Sequence, residues 1–435
     1  MNTGKLRKNK LRAAAFESDL FRDPHDPAST SKSDSAKKNK TKGKMIEFLS
    51  IATIPLVLVL GNSMLIPILP DMAKALNVTQ FQTSLIITLF SVTAGLFIPV
   101  LGYLSDRYSR KAIIIPALIV YGAGGILAGF GAVWKSYGII FAARIIQGLG
   151  AAGTVSLALV GDLYDGATES KALGITEAAN GFGKVISPIL GSLFALIIWY
   201  AAFFAFPVFC AASILMLVFF IKEPKRQDKP VKLKQYVKNI GRIFKEKGRW
   251  LIASFVAGSV SLFILFGVLF YLSDILEQKP YEIDGIVKGL ILAIPLTGLV
   301  ITSYITGSVI KKNGVLIRRV MIAGFILATA SLTFAIFFHK QIYVLISMLT
   351  LSSIGTGLVL PCLNTMITGA VERKQRGVVT SLYSSLRFFG VAFGPPLFSW
   401  LMAGSDRTLF IAVSSLSLIM LVLVALFIKP DKQIE

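Results

Sequence analysis

The chain has 435 residues, 54% of them hydrophobic, and its 45 Lys and Arg against 23 Asp and Glu give a formal net charge of +22. Such a composition excludes an ordinary soluble domain. It does not make a nucleic-acid footprint either, because the cations fall in alternate connections between apolar runs rather than in one patch. Cys210 and Cys362 lie inside apolar runs, and His25 and His339 are the two histidines, so neither a disulfide framework nor a His-based metal cluster is expected.

Residues 1–44 are rich in Lys, Ser, Asp and Asn, bury little, and are expected to form a disordered basic tail. Within it, residues 11–21 have the makings of a short surface helix. Residues 37–44 would favour anionic headgroups at about 1 kcal/mol per basic side chain; the alternative is a tail that only sets topology. No cleavable signal is evident, because the first apolar run is long enough to be a true span. Apolar runs follow near 46–70, 81–101, 112–132, 136–161, 172–197 and 200–222. They resume near 250–276, 285–310, 316–338, 341–369, 377–402 and 407–428. Each is long enough to cross a bilayer as a helix. A chain in lipid must satisfy its own backbone, and uninterrupted runs without alternation select helices over a barrel.

The expected fold is therefore an all-α polytopic membrane protein with 12 transmembrane helices, in bundles over 45–222 and 250–429 joined by a cytoplasmic linker at 223–249. Cations concentrate in the tail, at 102–111, at 222–249, at 311–319, at 373–376 and at the C-terminus. The opposite connections carry only Lys74, Lys135, Lys279, Lys288, Lys340 and Arg407. This asymmetry places both termini in the cytoplasm of a cell membrane, plasma or bacterial inner. The halves are also related in sequence. Gly148-x-Gly150 matches Gly355-x-Gly357, and Gly183-x-x-x-Ser187-Pro188 matches Gly390-x-x-x-Gly394-Pro395, at one shared offset of 207 residues.

Between the second and third runs stands Gly102-Tyr-Leu-Ser-Asp106-Arg107-Tyr-Ser-Arg110-Lys111, a turn too charged for lipid. It resembles the loop signature between helices 2 and 3 of the major facilitator superfamily, G-x-L-x-D-R-x-x-R-[RK], with Ser109 where a glycine is usual. Arg144-Ile-Ile-Gln147-Gly148-Leu-Gly150 resembles the superfamily's R-x-x-Q-G-x-G-x-A pattern in helix 4. Gly183-x-x-x-Ser187-Pro188-x-x-Gly191-Ser192 resembles the G-x-x-x-G-P-x-x-G-G motif of its drug and metabolite antiporters, with serine twice in place of glycine. The resemblance covers residues 46–428 and implies the major facilitator fold, two pseudo-symmetric six-helix bundles that rock about a midplane site. It further implies an antiporter that exports its substrate, works as a monomer and needs no cofactor. Two formal nucleotide motifs fail their context tests. Gly148-x-Gly150-x-x-Gly153 has no strand before it, and Val185 stands where a phosphate loop needs Ser or Thr after Gly183-Lys184.

The resemblance assigns gating to Gly102, Asp106, Arg107, Arg110 and Asp162. Asp162 would pair with Arg107 or Arg110 to lock the inner gate, or would be a solvated helix-end charge. It assigns proton coupling to Arg144, whose alternative is snorkelling to the outer headgroups. Gly183, Pro188, Gly191, Gly390, Gly394 and Pro395 are read as helix-packing positions.

Other candidates come from the residues themselves. Glu177 and Lys184 lie on one face of the fifth run, about 10 Å apart along the axis, and Arg387 sits at comparable depth in the eleventh. Cations near mid-membrane are costly unless they face water or bind an anion. Lys184 and Arg387, with Asn62 and Gln147, are thus expected to bind an anionic or zwitterionic substrate; the alternative is a network in which Glu177 neutralises one cation. Glu177 is the preferred proton carrier, since a carboxylate in an apolar span is costly to keep charged. Asp71 is a weaker candidate near the outer surface. Aromatics on the seventh and eleventh runs, among them Phe263, Phe266 and Phe388, offer an amphiphile site.

The expected activity is proton-coupled export of a small amphiphilic organic molecule through the lipid bilayer by alternating access. The alternatives are a broad-specificity exporter of lipophilic cations, or an exporter or flippase of a metabolite such as a siderophore or a lipid-linked sugar. An enzyme is not expected, since no catalytic cluster of His, Cys or acids stands in the spans.

Overall fold

The structure is a computed structural model that describes residues 27–223, 233–310, 313–369 and 373–428. It divides into two units, one ending at Glu47 and one spanning Phe48–Glu435, and the account below concerns the second. The expected tail lies outside the described residues as far as residue 26, and from there a helix is present. Lys311, at the position matching Asp106, is also outside them.

The regular structure runs α1 Pro27–Ser63, α2 Leu69–Leu76, α3 Gln80–Arg107, α4 Arg110–Val133, α5 Tyr137–Leu149, α6 Gly153–Leu163, α7 Gly166–Ile197 and α8 Ala201–Phe220. It continues with α9 Leu233–Glu277, α10 Gly285–Ile310, α11 Gly314–Phe338, α12 Ile342–Gly369, α13 Arg373–Met402 and α14 Asp406–Phe427. Eleven spans among the described residues are long and apolar enough to cross a membrane. The twelfth long segment is α13, 30 residues interrupted by Arg387 and other polar groups.

Two spans expected to be continuous are broken. In the first, α1 ends at Ser63 and a 3-10 turn at Ile66–Ile68 precedes α2. Pro67 and Pro70, which have no N–H, fall within the first positions of these short helices. In the fourth, Gly150–Ala152 separates α5 from α6, where Gly150 packs directly on Ala117 and Tyr121 of α4. The signature 102–111 is also mostly helical. Only Tyr108 and Ser109 leave the helix, and Ser109 caps α4 by accepting from the Ala112 N–H at 3.2 Å. Its extended backbone (φ −160°, ψ 150°) is open to any residue, so serine works where the signature usually has glycine.

Within each half the glycine motifs serve close approach. Gly183 packs on α1, Gly390 and Gly394 pack on α9, and Gly191 packs on Met64 and Pro67. Gly148 and Gly150 bring α5 onto α3 and α4, while Gly355 and Gly357 bring α12 onto α11 and α10. Under the 207-residue offset the two glycines of each pair thus exchange neighbours. The halves meet chiefly along two contacts, α3 with α13 and α7 with α10, with smaller ones between α9 and the segment 66–76. Gly102 lies in the first, where a Cβ would meet the Ser381 hydroxyl.

Candidate functional site

A central cavity with about 160 Å³ of water-sized space lies between the halves. The first half lines it with Asn62 of α1, Thr154 of α6, and Glu177, Asn180 and Lys184 of α7. The second lines it with Phe266 of α9 and Arg387 and Phe388 of α13. Three sequence candidates of opposite origin, Glu177, Lys184 and Arg387, therefore share one space.

Their pairing differs from the alternative of a neutralised network. Lys184 and Arg387 have no carboxylate partner among the described residues, and Glu177, exposed, makes no ion pair with either. The Arg387 guanidinium sits 5.4 Å from the Tyr383 ring centroid, a cation–π contact, and its buried Nε lacks a hydrogen-bond partner. Arg387 and Glu177 are both near enough to act on the Lys184 charge. Two cations, one from each half, face one cavity with no ion-pair partner among the described residues, and Glu177 is a carboxylate in the same wall without direct contact to either. Sequence reasoning missed Thr154 and Asn180, whose Oγ1 and Oδ1 are buried without a partner in the same wall. Their types are too common in spans to signal a site.

Arg144 does not snorkel. It is fully buried and reaches only neutral oxygens. Its Nε donates to the Ile86 carbonyl at 3.0 Å and Nη1 to the Gly61 carbonyl at 3.3 Å and Gln147 Oε1 at 2.6 Å. Nη2 donates to Asn62 Oδ1 at 2.9 Å, and Phe90 lies under the guanidinium at 4.5 Å. Gln147 is thereby held outside the cavity wall, away from its expected place on the substrate. Asn62 stays in the wall, but its amide already accepts from Arg144 and donates to Ser91 Oγ at 3.0 Å.

At the end of the bundle carrying Tyr108–Ser109, buried Arg110 joins two carboxylates. It bonds Asp106 at 2.6 Å and Asp162 at 2.8 Å, and donates to Ser105 Oγ at 2.7 Å. Of the two expected partners of Asp162, the geometry brings up Arg110; Arg107 is exposed and lies 5.7 Å from the Tyr108 ring centroid. Sequence reasoning also missed Glu223, which follows the sixth span. Its carboxylate accepts from Ser109 Oγ at 2.7 Å, the Arg110 N–H at 2.7 Å and the Lys111 N–H at 3.0 Å.

The family model of the Major Facilitator Superfamily matches residues 51–315 and 276–434. The chain belongs to the Major Facilitator Superfamily. Within that superfamily it is 43% identical over 397 residues to the Bacillibactin exporter of Bacillus subtilis (strain 168), covering 90% of this chain and 98% of the relative. It is 24% identical to the class C Tetracycline resistance protein of Escherichia coli, over 85% of this chain and 92% of that one. A solved D-xylose-proton symporter shares the fold at 13% identity, with a TM-score of 0.72, over 90% of this chain and 99% of that chain. This superfamily member is thus a multi-pass helical membrane protein, and membership implies a transporter rather than an enzyme.

Proposed function

We propose that this chain is a proton-coupled exporter of a small anionic or zwitterionic organic molecule, with a siderophore as the first candidate. The observation that carries the reading is the pair of cations, Lys184 and Arg387, one from each half on one cavity, with no ion-pair partner among the described residues. Burying a cation is costly unless an anion or water compensates it, so this arrangement favours a ligand that brings negative charge. The name of the 43% identical relative points the same way and makes bacillibactin the probe of choice.

In the proposed cycle an anion entering the cavity bridges Lys184 and Arg387 and ties the halves together. Glu177, in the same wall and open to solvent, takes up and releases the exchanged proton, and Arg144 acts on it through Asn62. The Arg110–Asp106–Asp162 cluster closes the end bearing Tyr108–Ser109 when the cavity faces the other way, with Arg107 and the Gly102–Ser381 approach at its edge. The protein acts as a monomer of two six-helix bundles in the cell membrane, with both termini cytoplasmic.

The test is proton movement in proteoliposomes on addition of bacillibactin, and separately of lipophilic cations, with Glu177→Gln and Lys184→Ala beside the wild type. Proton flux elicited by bacillibactin and abolished by both substitutions is the expected result. Flux with lipophilic cations alone, unchanged by Lys184→Ala, would overturn the anion reading in favour of a general drug exporter.

A further inference from the structure

The cavity stops short of one end of the bundle. It is lined no further than Ser63 on α1, Lys184 on α7, Phe266 on α9 and Val391 on α13. The last three helices continue to Ile197, Glu277 and Met402, and α1 is followed by α2. A closed layer therefore separates the cavity from the end that carries residues 278–284. Part of that layer is tight backbone packing, as where Gly289 of α10 meets Pro188 and Ser192 of α7.

The rest of the layer is a polar cluster that crosses between the halves. Glu277, at the last position of α9, has a side chain only 8% exposed. One of its oxygens meets Lys288 Nζ of α10, a lysine with a 2% exposed side chain, and the other meets Lys74 Nζ of α2 at 2.9 Å. Lys288 belongs to the same half as Glu277, and Lys74 to the opposite half. One turn earlier on α9, Asp274 accepts from Gln80 of α3, again across the halves, and from Gln278 at 2.7 Å. Ser273 Oγ donates to the Ile66 carbonyl at 3.0 Å. Asp71 of α2, Asp284 before α10 and Asp406 of α14 are the other charged groups within electrostatic reach of these side chains.

We propose that Glu277 is the latch that holds this end shut, and that removing its charge by substitution opens the cavity there. A charged Glu277 satisfies two lysines at once and holds α2 of one half against α9 of the other. Once it is neutral, Lys288 is left as a buried cation without its partner, which penalises the closed state. Water reaching the separated ends would hydrate both lysines, so the open state suffers no such penalty. The carboxylate also lies on the opposite side of the cavity's end from Arg110, Asp106 and Asp162. The two clusters can thus serve the two closed states in turn.

The experiment measures distances between spin labels at Val78→Cys and Val287→Cys, one in each half at this end, with Cys210 and Cys362 replaced by alanine. The purified full chain in lipid nanodiscs is used without substrate, so the outcome does not depend on what is transported. The wild type at pH about 8 should give one short distance. Glu277→Gln should add a longer one whose population is about tenfold higher, a shift that a modest change in state preference produces. Lys74→Glu, at a side chain 73% exposed, sets a second carboxylate against Glu277 across the halves and should also populate the longer distance, so it keeps the test decisive if the first variant fails to fold. An unchanged distance distribution in these folded variants would overturn the latch.

Discussion

Arg144 carries a full charge inside the bundle and spends it on four neutral oxygens, two of them backbone carbonyls. The Gly61 carbonyl is near the end of α1, where the chain leaves the helix, so the guanidinium fastens a break in span 1 to spans 2 and 4. Five donors in a planar fork suit that task, and an ammonium group does not. Arg144→Lys is therefore expected to melt lower than the wild type, by the equivalent of about 1–3 kcal/mol for each buried oxygen left bare. Scanning fluorimetry of the purified protein measures this. If Arg144 also couples the proton, Arg144→Lys at a permissive low temperature should retain bacillibactin binding yet lose proton flux. A pure fastener would retain both. At this scale the sequence was informative wherever a charge stood in an apolar run, because lipid makes such a charge conspicuous. It named Asn62 for the substrate but gave no sign that its amide is turned toward Arg144 and Ser91, by contacts that no spacing reveals.

Helix α4 shows how an element can depend on a residue far along the chain. Its first N–H groups would be unsatisfied, and the Glu223 carboxylate receives two of them together with the Ser109 hydroxyl. A negative group at a helix N-terminus gains from the helix dipole, by up to about 2 kcal/mol where partly buried. Glu223→Gln should thus lower the melting temperature modestly and Glu223→Ala more. Ser109→Gly, which restores the residue usual in the signature, should cost only a few tenths of a kcal/mol beyond the lost Glu223 contact. The helices themselves were legible, because each apolar run must hydrogen-bond internally in lipid. Their breaks at Gly150–Ala152 and around Ile66–Ile68 were not, since hydropathy stays high where the hydrogen-bond ladder is interrupted. Lys288 was misread for a related reason. It seemed a loop cation, but α10 begins at Gly285 and carries it inward to Glu277.

On the scale of the whole molecule, the cavity sits where both halves contribute a cation and neither contributes a paired anion. Lys184 and Arg387 are like charges taken out of bulk water on one cavity, which weakens the ligand-free state, and the Glu177 carboxylate in the same wall offsets part of that cost. A site arranged for a charged ligand is thus strained without it, the usual exchange of stability for function. Lys184→Met and Arg387→Met should each raise the melting temperature of the ligand-free protein, by the equivalent of about 1 kcal/mol or more, because an apolar side chain replaces an uncompensated cation. Each should weaken bacillibactin binding about tenfold to a hundredfold, the worth of one charged hydrogen bond. The double variant should lose the melting shift that bacillibactin produces in the wild type, since ligand stabilisation follows affinity. Melting curves with and without bacillibactin measure all three quantities in one series. Variants that melt lower than the wild type yet keep the ligand-induced shift would show that the two cations support the fold instead. In that case the space between the halves selects its cargo by the apolar surface of Phe266 and Phe388 and by the Glu177 carboxylate, as a cation exporter would.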